Sequence, residues 1–241
     1  MKLEDLRKLQ QKKFRDSLGY FLVEGEHLVL ELQKAAKQDA RLRGSEIYVT
    51  YEFGQWVSPF PVHVINARHM AQISETRAPQ GIVAVVPVFD PLPPRPGERA
   101  VCLHGIQDPG NLGTILRTLA WFGGFRCLLT PGSVDPFNAK AIRASMGAVF
   151  HVPVETDVAL ASLAGRYSRI AGLDTRGTPI QAPGFREHDC YLFGSEAHGL
   201  PAVAEGAPAM QPYTIPGSGL IESLNLAAAV NLCAYELTRT P

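Results

Sequence analysis

An arginine near the start of a predicted helix can take part in phosphate or sugar chemistry. The helix lies within residues 104–125, HGIQDPGNLGTILRTLAWFGGF, after a turn rich in Asp, Pro, Gly and Asn and before a pair of glycines that ends it. Its buried stripe is predicted at Ile115, Leu119 and Phe122. Arg117 then falls on the opposite face, where it can meet a phosphate or ribose or can simply be solvated. This segment alone leaves both interpretations open.

A second candidate segment carries an acid between two glycines. In YLFGSEAHGL, residues 191–200, an apolar strand runs directly into the loop. Gly194 and Gly199 permit a tight turn whose backbone groups can approach a ligand. Glu196 would then lie at the carboxyl end of the strand. An acid at such a turn often serves only as a helix cap, so the pattern by itself also fits a structural role.

A third candidate segment, residues 213–237, begins with an Ile-Pro turn and continues into an alanine-rich helix. Ser223 is the predicted N-cap of that helix. Asn225 is expected in the first turn, where its side-chain amide can face a ligand. The small residues 227–229 would allow another backbone to pack closely.

In their order and spacing, the three segments resemble the signature motifs of the SpoU (TrmH-type) RNA ribose methyltransferases of the SPOUT superfamily. The matching positions are Asn111-x-Gly113 with Arg117-Thr118, then Gly194-x-Glu196-x-x-Gly199-Leu200, then Ile215-Pro216 with Ser223-Leu224-Asn225. The resemblance spans residues 100–241. It implies transfer of a methyl group from S-adenosylmethionine to a ribose 2′-hydroxyl of RNA. Ribosomal RNA is the expected substrate, because relatives with a comparable extra amino-terminal domain often act on it.

The resemblance also implies a deep trefoil knot that binds the cofactor, and a homodimer. Cofactor contacts are expected at Gly194, Ile215 and Leu224. The catalytic positions of the family fall on Asn111, Arg117, Glu196, Ser223 and Asn225. The family's proposed proton acceptor corresponds to Arg117, although a guanidinium stays protonated in proteins. Arg117 is therefore either an unusual base assisted by a phosphate, or a cation that binds phosphate and stabilises a developing alkoxide.

The elements that must position these residues indicate two domains. A proline-rich stretch, DPLPPRPGER, supports a linker at residues 91–99 between domains at 1–90 and 100–241. In the carboxyl-terminal domain, short apolar runs alternate with helical patterns, which predicts an α/β fold with a mostly parallel sheet and helices on both faces. The expected strands there are 101–103, 127–130, 149–154, 170–173 and 191–193.

The amino-terminal domain is predicted to be a smaller α/β domain that binds RNA. Runs at 20–23, 47–50, 62–65 and 81–88 predict its strands. FLVEGEHLV (21–29) and PQGIVAVV (79–86) resemble the substrate-binding domain of the same family, which is similar to small RNA-binding ribosomal proteins. Lys140 and Arg143, on a helix ending at Gly147, fit a further family segment and are expected to touch RNA.

The charge balance requires that RNA be bound by local patches, since 23 basic and 23 acidic side chains cancel. Residues 1–15 hold six basic side chains against two acidic ones. If these residues form one helix with the apolar side packed inward, Lys8, Lys12 and Lys13 are among the charges left to meet phosphates. A merely solvated helix face is the equally open alternative.

Several other classes of protein fit the sequence poorly. The four cysteines are far apart and form no zinc pattern, so we expect no metal and interpret them as buried thiols in a reducing compartment. No apolar run suits a signal peptide or a membrane span, which predicts a cytoplasmic protein. Neither G-x-G-x-x-G nor a P-loop occurs, which disfavours a dehydrogenase or a Rossmann-type methyltransferase. A non-catalytic RNA-binding or ribosome-assembly protein that keeps the knot is the remaining alternative, and the retained catalytic positions speak against it.

Overall fold

A four-stranded mixed sheet and a six-stranded parallel sheet form the cores of two separate units. The structure is a computed structural model, and it describes residues 1–76, 78–195, 199–201 and 208–239. The first unit comprises Met1–Asp90 together with Asp135–His151, and the second comprises Pro91–Val134 together with Val152–Pro241.

The helices and strands of the described residues alternate along most of the chain. Among them, every helix is too short or too polar to span a bilayer. In chain order they are α1 (Leu3–Lys8), α2 (Lys12–Leu18), β1 (Tyr20–Glu24), α3 (Glu26–Ala35), β2 (Glu46–Val49), β3 (Val62–Val64), α4 (Ala67–Ile73), β4 (Ile82–Pro87), β5 (Arg99–Leu103), α5 (Pro109–Phe122), β6 (Phe125–Leu129), α6 (Ala139–Ser145), β7 (Val154–Glu155), α7 (Leu163–Arg166), β8 (Ile170–Pro179), β9 (Cys190–Phe193), β10 (Gln211–Thr214) and α8 (Leu226–Thr238).

The sheet of the first unit has the strand order β1-β4-β2-β3. β4 pairs antiparallel with both β1 and β2, while β2 pairs parallel with β3. All of β4 except Pro87 is buried, as the continuous apolar run predicts for a central strand. Leu6, Leu9, Met70 and Ile73 pack against this sheet and close its core. The prediction of a small amino-terminal α/β domain is therefore confirmed.

The amino-terminal stretch forms two short helices, not the single amphipathic helix that the sequence predicts. α1 ends at Lys8 and α2 begins at Lys12, so the apolar spacing is interrupted between them. Leu6 and Leu9 are buried as expected. Arg15, which the sequence counts among the solvated charges, is only 4% exposed because its guanidinium is fully engaged inside the unit.

A segment from the middle of the chain, Asp135–His151, is part of the first unit, although the sequence assigns it to residues 100–241. Arg15 Nε and Nη2 both donate to Asp135 Oδ2, at 2.9 and 2.6 Å. Its Nη1 donates to the backbone carbonyls of Leu9 and Gln10. One guanidinium therefore fixes the turn between α1 and α2 to the start of this segment.

Aromatic and backbone packing hold the rest of the segment in the first unit. The ring of Phe137 stacks on that of Phe21 in β1, with centroids 4.5 Å apart. At Gly147, an added Cβ would lie 2.8 Å from the Cβ of Glu31 in α3, so only glycine allows this approach. The predicted strand at 149–154 is wrong over most of its length, since Ala148–Phe150 form a 3-10 helix and only Val154–Glu155 are extended.

The second unit is a parallel sheet with the strand order β10-β8-β9-β5-β6-β7. This confirms the predicted α/β class. β8 is longer than the predicted 170–173, and β10 is missing from the prediction because QPYT is too polar to resemble a strand. The trefoil knot stays a prediction, since residues 196–198 and 202–207 lie outside the described ones.

A buried ion cluster closes the amino-terminal end of this sheet. Arg126 in β6 is 2% exposed, and it donates to Glu98, to Glu155 and to the carbonyl of Leu92. Burial alone would raise the pKa of Glu155, but hydrogen bonds and attraction from Arg166 and Arg126 lower it. The cluster thus lies at the end of the sheet opposite to the carboxyl ends of its strands. It holds together Leu92, Glu98, Arg126, Glu155 and Arg166.

We expect Asp135→Asn to destabilise the chain by about 3 to 5 kcal/mol, because it leaves the buried Arg15 charge uncompensated. Asp16→Asn is the matched control. Asp16 pairs with Lys12 at 2.7 Å, but both side chains are 59% exposed, so its loss should cost no more than about 1 kcal/mol. Denaturant unfolding of both variants measures the difference. Equal, small losses would contradict the role given to the Arg15–Asp135 pair.

Candidate active site at the carboxyl edge of the parallel sheet

The three candidate segments follow strands whose carboxyl ends lie along one edge of the parallel sheet. Leu103 at the end of β5 pairs with Phe193 at the end of β9. β10, which leads into the third segment, pairs in parallel with β8, the other neighbour of β9. In open α/β sheets this edge is where ligands bind.

The first segment starts α5 with a strong cap. Asp108 is the N-cap, and its Oδ1 accepts from the backbone N–H groups of Gly110 and Asn111. Pro109 occupies the first helical position, where a missing N–H costs nothing. Asn111 is therefore fixed in the first turn. Arg117 is exposed on the face away from the buried stripe, as predicted.

The buried stripe of α5 includes two of the three predicted residues. Ile115 and Leu119 are buried together with Leu112 and Leu116. Phe122 is only half-buried, and its ring makes an edge contact with Tyr235 in α8 at 6.4 Å. The stripe thus anchors α5 on the sheet and leaves its outer face to solvent.

Asn225 joins the third segment to the first. It is the N-cap of α8, where its Oδ1 accepts from the N–H groups of Ala227 and Ala228 at 2.9 and 3.3 Å. Because the oxygen must face these donors, the amide nitrogen points away, and it donates to Asn111 Oδ1 at 3.1 Å. Two motifs that are 114 residues apart therefore meet through one side chain. The prediction of Ser223 as the N-cap is wrong, since Ser223 lies in the exposed loop before the helix.

The second segment makes a tight loop at Gly194. Ser195 and Gly199 exchange two backbone hydrogen bonds, each 2.9 Å long. An added Cβ at Gly194 would lie 2.0 Å from the carbonyl carbon of Gly199, so only glycine fits. Glu196 lies outside the described residues.

Ile215 and Leu224 flank the exposed loop that precedes α8. Ile215 is half-buried just beyond β10, and Leu224 is partly exposed. Leu220 and Ile221 between them are largely exposed as well. The loop therefore carries apolar surface, which suits contact with a partly apolar ligand or another chain.

A histidine that sequence reasoning missed also lies at this edge. His104 directly follows β5, and its Nδ1 lies 3.2 Å from Thr130 Oγ1, at the end of β6. The same hydroxyl accepts from Gly105 N at 2.9 Å. Gln107 Nε2 bridges the carbonyls of Gly105 and Gly132 and ties the same two loops. No sequence pattern could indicate this group, since its partners follow a different strand.

The five residues predicted to bind RNA all belong to the first unit. Lys8, Lys12 and Lys13 are exposed on α1 and α2. Lys8 pairs with Asp5 at 3.0 Å and Lys12 with Asp16 at 2.7 Å. These exposed pairs are weak enough to exchange for a phosphate.

The other two lie on α6 and differ in exposure. Lys140 is exposed. Arg143 is half-buried beside a small cavity that Glu24 and Glu75 also line, and its Nη1 is buried without a hydrogen-bond partner among the described residues. Burial raises the pKa of Glu75, and attraction to Arg143 opposes that shift. Lys140 is therefore better placed than Arg143 to reach an external phosphate.

Comparison with known proteins gives the family. Residues 98–235 match the model of the SpoU rRNA methylase family, which is more than half of the chain. The chain belongs to the SpoU rRNA methylase family. Residues 1–84 match the MRM3-like substrate binding domain. This SpoU methylase is accordingly an S-adenosylmethionine-dependent RNA methyltransferase, as the motifs predict.

Individual relatives cover nearly the whole of this SpoU methylase. The 23S rRNA (guanosine(2553)-2′-O)-methyltransferase RlmP of Bacillus subtilis is 30% identical over 98% of this chain and 95% of its own. An AdoMet-bound rRNA methyltransferase from Sinorhizobium meliloti is 27% identical, with a TM-score of 0.82 over 98% of this chain and 93% of its own. A TrmH-family protein from Porphyromonas gingivalis is 31% identical, with a TM-score of 0.80 over 98% and 96%.

The residues at the sheet edge fit S-adenosylmethionine. The backbone of Gly199 leaves no room for a side chain at Gly194 and keeps the loop tight at the end of β9, the edge where open α/β sheets bind their ligands. Ile215 and Leu224 are partly exposed apolar side chains, the kind of surface on which an aromatic base can pack. When bound, the cofactor supplies a methyl group that its sulfonium has already activated.

We expect Gly194→Ala to weaken S-adenosylmethionine binding by about tenfold or more, because overpacking of about 1 to 3 kcal/mol must open the loop. Gly165→Ala is the control, since Gly165 lies in α7 with nothing within 4 Å of an added Cβ. Calorimetry on the full chain measures the affinity, and thermal melting checks folding. Unchanged affinity in a folded Gly194→Ala variant would show that this loop does not hold the cofactor.

Proposed function

We propose that the chain transfers a methyl group from S-adenosylmethionine to a ribose 2′-hydroxyl of ribosomal RNA. The observation that carries the proposal is the hydrogen bond from Asn225 to Asn111, which joins two family motifs at the carboxyl edge of the sheet. RlmP, the similar Bacillus subtilis protein, methylates a guanosine of 23S rRNA at the 2′ oxygen according to its name. The match to the MRM3-like substrate binding domain supports the same substrate class.

Positioning is the main catalytic contribution that we assign to the protein. An oxygen nucleophile must be aligned with the activated methyl, and fixed side chains supply that alignment. Asn111 and Asn225, locked to each other, are proposed to orient the ribose or the cofactor. Ser223, exposed in the loop before α8, and Glu196 are proposed to add hydrogen bonds there.

Arg117 is proposed to act as a cation. It is exposed, and no carboxylate among the described residues pairs with it. A guanidinium that stays protonated cannot readily accept the ribose proton, but it can bind a phosphate and stabilise the alkoxide as the hydroxyl loses its proton. This favours the cationic role over that of an unusual base.

A second copy of the chain is the proposed partner of the outer face of α5. Trp121 is 84% exposed there, one helical turn beyond Arg117. Leu232 and Tyr235 on the neighbouring α8 are also exposed. Large apolar side chains exposed on neighbouring helices are typical of a protein interface, which supports a homodimer in which Arg117 lies close to the contact.

We propose a cytoplasmic location, which the similarity to the Bacillus subtilis rRNA methyltransferase supports. All four cysteines are free, buried thiols, as a reducing compartment requires.

Arg117→Ala should lower methyl transfer at least about a hundredfold, because the variant has no charge to stabilise the developing alkoxide. S-adenosylmethionine affinity should stay unchanged, since the residue is assigned to the nucleophile. Arg117→Lys should restore part of the activity if a positive charge is what matters. Transfer of labelled methyl groups to 23S rRNA, followed by mapping of the modified ribose, measures this.

Two outcomes would contradict these assignments. Near-normal turnover of Arg117→Ala would remove Arg117 from the site. A wild-type chain that binds RNA and S-adenosylmethionine without transferring a methyl group would favour the non-catalytic alternative. Light scattering on the same samples should give twice the 26.2 kDa mass of the chain, and a monomer mass would contradict the homodimer.

Joint substitution of Lys8, Lys12 and Lys13 by Ala should weaken RNA binding and flatten its salt dependence. Removal of one lysine–phosphate interaction lowers the slope of log affinity against log salt by about 0.7 to 0.9. Cofactor binding should not change, because these residues lie in the first unit. Arg7→Ala, which removes another exposed charge from α1, is the control for general charge effects. An unchanged slope in the triple variant would move the RNA site towards Lys140.

A further inference from the structure

A histidine outside the three motifs adjoins the loop expected to hold the cofactor. The backbone N–H of His104 donates to the carbonyl of Phe193 at 2.9 Å, immediately before Gly194. An added Cβ on Gly105 would lie 3.9 Å from the Cβ of Ser195. His104 therefore belongs to the same edge of the sheet as the first two motifs, although neither motif includes it.

The hydroxyl of Thr130 determines which nitrogen of His104 carries the hydrogen. This side chain is 2% exposed, so its O–H needs a protein acceptor. Thr130 Oγ1 has two partners among the described residues, Gly105 N and His104 Nδ1. The backbone N–H can only donate, which leaves Nδ1 as the acceptor. A neutral His104 therefore carries its hydrogen on Nε2.

The Nε2 atom can be reached by a ligand. Among the described residues it has no hydrogen-bond partner, and it is not fully buried. Protonation of the ring would leave a hydrogen on Nε2 as well. In both states the outward atom is a donor, so His104 is not arranged to accept the proton of a ribose hydroxyl.

We propose that His104 Nε2–H is a hydrogen-bond donor of the active site, set in that role by Thr130, and that it binds an anionic oxygen. The oxygen belongs either to a phosphate of the RNA or to the carboxylate of S-adenosylmethionine. This inference rests on the proposed function, since both groups are ligands of that reaction. It adds a binding residue that the three motifs do not contain.

Two isosteric substitutions separate the outward donor from the inward acceptor. His104→Gln places an amide nitrogen close to where Nε2 lies and gives up the hydrogen bond with Thr130. His104→Asn places an amide oxygen close to where Nδ1 lies, which keeps Thr130 satisfied and removes the outward donor. We therefore expect His104→Asn, and not His104→Gln, to lose ligand affinity.

Affinities of the full-length variants test this in two arms, with S-adenosylmethionine by calorimetry and with in vitro transcribed 23S rRNA by fluorescence anisotropy. His104→Asn should lose roughly 10- to 100-fold in one arm, the loss expected for a hydrogen bond to a charged group. His104→Gln should stay within about threefold of the wild type. A loss for the cofactor identifies its carboxylate, and a loss for the RNA identifies a phosphate.

The opposite ranking would overturn the proposal. If His104→Gln loses affinity while His104→Asn keeps it, His104 only supports Thr130. If both variants keep the wild-type affinity, Nε2 binds neither ligand. Thermal melting shows whether each variant folds. Both arms measure binding and do not depend on methyl transfer. If the wild type fails to transfer a methyl group, the proposed function is contradicted, but the binding test of His104 remains valid.

Discussion

The site depends on the need of helix starts to satisfy their backbone N–H groups. Asp108 meets that need for α5 and Asn225 for α8. The side-chain oxygen of Asn225 caps α8, so its amide nitrogen must point away from the helix. In that orientation the nitrogen donates to Asn111 Oδ1. The contact between the two motifs is therefore a by-product of helix capping.

The candidate residues for chemistry and the candidate residues for RNA binding are divided between the two units. The described candidate residues for catalysis and cofactor binding all belong to the second unit, whereas the five basic candidates belong to the first. α6 has its sequence position among the methyltransferase motifs but packs with the first unit. Arg15 and Asp135 form the polar end of that packing, and the stack of Phe137 on Phe21 forms its apolar part.

The sequence predicted correctly those features that depend on residues close together in the chain. The ordered motifs predicted the family, and alternating apolar runs predicted the parallel sheet and the exposed face that bears Arg117. The errors arose where a distant partner decides the outcome. Arg15 is solvated by any local rule, and its buried charge is balanced by Asp135, 120 residues away. The error at Ser223 has a different cause, since α8 begins at Leu226 and its cap is the residue directly before it, Asn225.

The position of Asp135–His151 also bears on how the protein can be made by a ribosome. The first unit contains residues 1–90 but is completed by a segment that emerges only after β5, α5 and β6 have been synthesised. Until then Phe21 lacks the ring that stacks on it, and Arg15 lacks its carboxylate. Domains usually fold as units in order of synthesis, but here the amino-terminal unit remains unfinished while two of the six strands of the second unit's sheet are translated. Such a nascent chain exposes apolar surface of the first unit until the segment Asp135–His151 has emerged.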